Sequence, residues 1–167
     1  WYNPVYDLRN AHSIPNYWWT TGIAWNRATA PRAVARWADL WSPSAGHSIA
    51  MLDDMRQAFA AAAFAFGLDP NTTSEADLDA ILANLEALKP RIGDWTEDPV
   101  GDLESGLVSI TQATSRDWSA MTADLPAAEY VIPDDGALVA NDTLVVLAGA
   151  SHPVAAHLWL DYSLEPQ

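Results

Sequence analysis

Cysteine is absent from the 167 residues, which removes disulfide frameworks, thiolate zinc sites and cysteine nucleophiles together. Positive charge is scarce: eight Lys and Arg stand against 22 Asp and Glu, Lys89 is the single lysine, and the formal charge is -14. A field of that sign repels phosphate backbones and anionic lipid surfaces and draws in cationic solutes, so nucleic acid and membrane surfaces are poor partners. Long apolar runs are missing as well, and none nears the ~18 residues of a bilayer-spanning helix. No basic-then-apolar leader opens the sequence, as expected of a soluble chain or of an exported one after processing. Nor is there a glycine-rich phosphate cradle. His12, His47, His152 and His157 are scattered, and the close pair, five residues apart, falls on different faces of a helix, so no metal site is expected. "DPNTTSEADLDA" has oxygens at alternate positions like a calcium loop, but Ser74 stands where the turn glycine belongs and Ala80 where the bidentate glutamate belongs. "SPSAGHS" lacks the glycine that precedes the serine of a nucleophile elbow. No catalytic residue and no cofactor is expected.

Half of the residues are apolar, enough for one ordinary domain with a core of its own. Residues 1–17 read as an extended or looping entry, followed by a strand at "TTGIAWN" (Thr20 to Asn26) and a short amphipathic helix from Pro31 to Trp41. Ser48 to Leu52 reads as a buried strand, and Asp54 to Phe66 as an alanine-rich helix stopped by Gly67. The clearest helix follows: Ser74 and Asp77 form a capping pattern, Leu78, Ile81, Leu82, Leu85 and Leu88 share a face, and Pro90 lies beyond its end. Next come a helical turn or two in "DPVGDLESG", a strand from Leu107 to Ala113, and a helix in "SRDWSAMTADL". Strands at "EYVIP" and "ALVANDTLVVL" precede a closing helix from His152 to Leu164. Strands alternating with helices predict an α/β fold with a mainly parallel sheet flanked by helices.

Two features carry chemistry. Nine tryptophans are many for this length; Trp37, Trp41 and Trp159 sit on helical apolar faces and read as core, while Trp18 and Trp19 adjoin a strand end, where a ligand wall is as plausible as core. The other feature is the adjacent pair Asp53 and Asp54 in "SIAMLDDMRQAF". Neighbouring acids serve as a helix cap, half of an acid/base pair, part of a metal cluster, or the anionic end of a pocket for a cation.

Taken in order, "YWWTTGIAWN", "WADLWSP", "SIAMLDDMRQAF", "GLDPNTT", "LEALKP", "YVIPDDGALVANDTLVV" and "HPVAAHLWLDYSLEP" resemble the periplasmic polyamine-binding proteins, the spermidine/putrescine receptors of ABC importers. The resemblance covers nearly the whole chain. It implies a type II solute-binding fold, two α/β lobes closing on a ligand like a hinge. Residues 1–26 are then entry and hinge strand, 27–133 a complete lobe, and 134–167 a returning strand and helix of a second, incomplete lobe. In that family the acidic segment faces the interlobe cleft, so Asp54 is expected to grip an ammonium group and Asp53 to cap the helix, with the reverse assignment left open. Where the family has a second acid one helical turn on, this chain has Gln57, which weakens polyamine grip or changes the ligand. Thr114 replaces an aromatic wall, with Ser115 beside it as a hydrogen-bond partner. Ala140 replaces another wall, while Asp142 keeps its acid. Stacking on ligand methylenes then falls to Trp18, Trp118 or the other lobe.

The resemblance further implies no enzymatic activity, a periplasmic or cell-surface lipoprotein location, and an ABC transporter permease as partner. Because one lobe is incomplete, strand exchange in a homodimer or pairing with a fragment carrying the missing lobe is also expected. Three alternatives stay open: the same scaffold with a non-polyamine ligand such as an amino acid derivative or opine-like amine, an enzyme using Asp53 or Asp54 as general base, and a domain-exchange module without ligand binding.

Overall fold

The fold, a computed structural model, describes residues 4–30, 32–42 and 49–165. Its strands are β1 (Ile14–Asn26), β2 (Ile49–Leu52), β3 (Ile92–Thr96), β4 (Ile110–Thr114), β5 (Ala128–Val131) and β6 (Leu138–Leu144). Its α-helices are α1 (Ala38–Trp41), α2 (Met55–Ala65), α3 (Glu75–Leu88), α4 (Pro99–Ser105), α5 (Ser115–Asp124) and α6 (Pro153–Ser163). The sheet order is β3-β2-β4-β1-β5, with β6 also paired to β1. β2 runs parallel to both β3 and β4, whereas β1 runs antiparallel to both β4 and β5. β2, β3, β4 and β5 therefore share one direction, and β1 is threaded between β4 and β5 against it. The expected α/β class and mainly parallel sheet hold, with helices supplying the crossovers that parallel neighbours need.

By packing, the chain divides into one compact unit of Trp19–Val139 and another of Trp1–Trp18 with Ala140–Gln167. In the larger unit the alternation of β1 assigns its two faces. Ile23 and Trp25 join Trp37, Leu40, Ile49, Met51, Ile81, Leu88 and Ile110 in the main core. Ala24 points the other way, to Ala50, Leu103, Val108 and Ala113. α2 lays Ala58, Ala61, Ala62 and Ala63 into the main core, where the small side chains let helix and sheet approach closely. Trp37 is buried, and its indole N–H donates to Gly136 O at 2.9 Å. Gly136 has φ +125°, and a Cβ there would meet the Phe64 ring at 2.5 Å, so this turn requires glycine.

Several expected boundaries shift. β1 starts at Ile14, so the supposed loop of residues 1–17 already contains strand; Pro15 lies at its beginning, where no ladder donor is needed. The Pro31–Trp41 helix shrinks to α1, because the Asp135 carboxylate accepts the N–H of Trp37 (2.9 Å) and Ala38 (3.2 Å) and fixes the helix start there. Pro31, His47, Ser48 and the other residues of 43–48 lie outside the described residues. β3 was not anticipated: "IGDWT" is a half-polar edge strand with no apolar run to betray it. The Ser74 cap is confirmed, its hydroxyl accepting the Asp77 N–H.

In the smaller unit the Asp7 carboxylate gathers the N–H groups of Ala11, His12 and Ser13 and the Ser13 hydroxyl, at 2.6–3.2 Å. The Ser13 hydroxyl chiefly, opposed by burial and helped by the three N–H groups, holds this carboxyl below its ordinary value. α6 buries Leu160 and exposes Val154, Leu158, Trp159 and Tyr162. Trp159, 58% exposed, is therefore not the core residue that its helical spacing suggests.

Candidate functional site

The β2–α2 corner answers the question of the adjacent acids. Asp54 is extended (φ -140°, ψ 111°) and caps α2, its Oδ1 accepting the Gln57 N–H at 3.0 Å. The cap therefore falls to Asp54 and not to Asp53, which is exposed and whose own N–H donates to Thr96 O at 2.9 Å. A carboxylate suits this place, since the helix N-terminus carries partial positive charge and unpaired N–H groups. Only one oxygen is used. Among the described residues Oδ2 has no hydrogen-bond partner, and the Asp54 side chain is exposed.

Thr114 and Ser115 stand at the equivalent corner of the neighbouring strand. β2 and β4 are adjacent and parallel, so Asp54 and Ser115, each beside the carboxyl end of its strand, lie at one edge of the sheet, the edge at which open α/β sheets take ligands. The Asp117 Oδ2 accepts both the N–H (2.8 Å) and the hydroxyl (2.7 Å) of Thr114, and the Asp117 N–H returns to Thr114 Oγ1 at 3.2 Å. The Thr114 hydroxyl is thus committed to the start of α5. Ser115 Oγ accepts the Thr20 N–H at 3.2 Å, which ties it to β1 and leaves its own O–H as a donor.

Beside it, the Tyr130 O–H donates to Thr20 O (3.1 Å) and its ring stacks on Trp118, with centroids 6.1 Å apart and planes 21° apart. Burial first, then the nearby Asp117 charge, raise the Tyr130 phenol against the opposing bond from Thr20, so it stays a donor. Trp118 is accordingly engaged in packing against Tyr130 rather than standing alone.

Gln57, one turn after Asp54, is half-buried, and its Oε1 is a buried acceptor without a partner among the described residues. Its backbone O accepts the Gln112 side-chain N–H at 3.0 Å. Gln112, fully buried in β4, was missed in the sequence; an amide within "ITQAT" was the available signal, since a buried polar residue is the informative exception in a strand. Of the remaining expected site residues, Trp18 and Asp142 belong to the smaller unit, Trp18 largely exposed and Asp142 half-buried. Among the described residues no cluster of three or more His, Asp or Glu side chains is arranged to hold a metal, and no helix is long and apolar enough to cross a membrane.

The chain as a whole is similar to known proteins in sequence and in fold. Spermidine/putrescine-binding periplasmic protein 1 of Haemophilus influenzae is 31% identical over 166 residues, covering 98% of this chain and 46% of that protein. Among solved structures, the spermidine/putrescine ABC transporter substrate-binding protein PotD of Streptococcus pneumoniae superposes with a TM-score of 0.85 at 25% identity, covering 98% of this chain and 51% of its own. The TpPotD lipoprotein of Treponema pallidum gives 0.86 at 25% identity, with 96% and 52% covered. The chain spans about half the length of the curated relatives it matches. Residues 9–167 match the family described as bacterial extracellular solute-binding protein. Fold and sequence agree, and the chain belongs to the bacterial extracellular solute-binding proteins.

Proposed function

We propose that this chain is part of the extracytoplasmic solute-binding component of an ABC importer and binds a polyamine or a similar cationic small molecule. The observation that carries the reading is the Asp54 carboxylate, with one oxygen spent on the α2 cap and the other exposed at the carboxyl edge of the parallel strands. That oxygen is held in place before any ligand arrives, which lowers the ordering cost of binding. Gln57 contributes a neutral acceptor in the next turn and Ser115 a hydroxyl donor. Thr114 acts through Asp117, as the start of α5. Asp142 and Trp18 enter as further ligand contacts from the resemblance alone. With Gln57 neutral, the grip is weaker than that of a two-carboxylate site, because charged hydrogen bonds are worth about 1.5–3 kcal/mol and neutral ones about 0.5–1.5.

The location is periplasmic, or the cell surface as a lipoprotein, and the partner that receives the ligand is a membrane permease. Binding, not turnover, is the activity: adjacent side chains diverge, which leaves Asp53 and Asp54 badly placed for a paired-carboxylate reaction. The apolar stripe Val154, Leu158 and Tyr162 on α6 supports packing of the smaller unit against further polypeptide, with strand exchange between two copies as the alternative outcome. Light scattering of this chain distinguishes a dimer from a monomer.

A thermal-shift panel of spermidine, putrescine, amino acids and sugars on the full protein that carries this chain tests the reading. Stabilisation by the polyamines is expected. Stabilisation by a neutral sugar or a zwitterionic amino acid alone would overturn it in favour of the same scaffold with another ligand.

A further inference from the structure

We propose that Gln112 is a positioning residue for the Asp54–Gln57 grip, acting through the backbone and without touching the ligand; the inference rests on the proposed binding role of that corner. The β2–β4 ladder pairs Ile49 with Ile110 and Ala50 with Thr111. Two residues beyond that, the Leu52 N–H donates to Gln112 Oε1 at 3.2 Å, and the same amide donates through Nε2 to Gln57 O at 3.0 Å. One buried side chain thereby holds both ends of the segment that contains Asp53 and Asp54: the end of the strand and the first turn of the helix. On the opposite side of β2, the Asp53 N–H is held by Thr96 O in β3 at 2.9 Å. The corner is pinned from both neighbouring strands, by backbone on one side and by a side chain on the other.

Residue type matters here. The register places Gln112 opposite Ile23 in β1, on the main-core face, where an apolar side chain would satisfy packing at least as well. An amide there is costly to bury unless both of its ends are bonded. Methionine would fill much of the same volume and lose both bonds, asparagine is too short to span them, and glutamate ionised has no N–H for Gln57 O. What the amide supplies is the fixed distance between Leu52 and Gln57, hence the position of the Asp54 carboxylate that caps the intervening turn. Binding groups held by such supporting bonds lose affinity when displaced by fractions of an ångström.

The test uses the full protein, wild type, Gln112→Met and, should that variant fold poorly, Gln112→Asn. Amide hydrogen exchange without ligand is measured first: residues 53–58 are expected to exchange at least ~10-fold faster in the variant, with α3 unchanged. Spermidine titration comes second, with an expected weakening of about 5–20-fold in the wild-type background that shrinks below about 2-fold in an Asp54→Asn background, because the lost position no longer serves a charge. A merely structural role would slow or speed exchange throughout the main core and would multiply with Asp54→Asn. Unchanged exchange in residues 53–58, or losses that multiply, overturns the proposal. If the wild type binds no polyamine, the functional reading fails by itself, and the exchange measurement still decides whether Gln112 holds the corner.

Discussion

α2 and α6 are both eleven-residue helices rich in apolar side chains, yet they meet different surroundings. α2 has a side-chain cap at Asp54 and buries five alanines. α6 begins at His152 with no side-chain cap bond and buries Leu160 alone. The difference teaches that apolar content states how much surface a helix can bury, whereas the cap and the sheet beside it state where that burial happens. The corner that presents a charge to solvent is also held by a cap and by bonds from both neighbouring strands, and the helix with the larger side chains is the one left exposed.

The contrast can be broken most forcefully at the tryptophans. Trp37→Ala should lower the stability of the chain by about 3–5 kcal/mol in chemical denaturation, whereas Trp159→Ala should stay within about 0.5 kcal/mol; comparable losses would mean that α6 is covered. Next come the helix starts. Asp54→Ala should cost about 0.5–2 kcal/mol through the lost cap, and Asp54→Asn should be nearly neutral, because asparagine caps as well as aspartate; His152→Ala should change stability little. Smaller again, Gln57→Glu should tighten polyamine binding by about 1 kcal/mol, the difference between a neutral and a charged bond, read by calorimetry.

The least selective probe is acid. Asp39 is held below its ordinary value: burial opposes ionisation, but the N–H groups of Ala35 and Arg36 and the Arg32 guanidinium outweigh it. Asp7 is lowered likewise in the smaller unit. Depressed carboxyls contribute stability that is complete above the unfolded value near pH 4 and is lost as pH falls through the folded value. Stability should therefore decline below about pH 4, and Asp39→Asn together with Asp7→Asn should flatten that decline in acid titrations followed by circular dichroism.

Much of this was legible from residue patterns. α3 announced itself through Ser74 and a leucine face, because a helix cap and a 3.6-residue repeat are local properties. The class of fold followed from alternation of elements, while the reversed run of β1 between β4 and β5 has no signature in its own side chains. β3 escaped notice since an edge strand needs only one buried face, and α1 was overestimated because its start is set by Asp135, nearly a hundred positions away. The acidic corner was visible as a pair, but which acid caps depends on backbone angles at Asp54. Gln112 was overlooked although a glutamine inside a strand signals an internal bond; its partners, Leu52 and Gln57, become neighbours only once β2, α2 and β4 are packed.

Calorimetric titration of spermidine into the full protein, wild type against Asp54→Asn, addresses the central claim most directly, because the substitution keeps the helix cap and removes only the charge. The expected result is an affinity lower by about 10-fold or more, the worth of one charge-assisted bond, with an unchanged melting temperature in the absence of ligand. Equal affinity in the two proteins would contradict a role for Asp54 in gripping a cation.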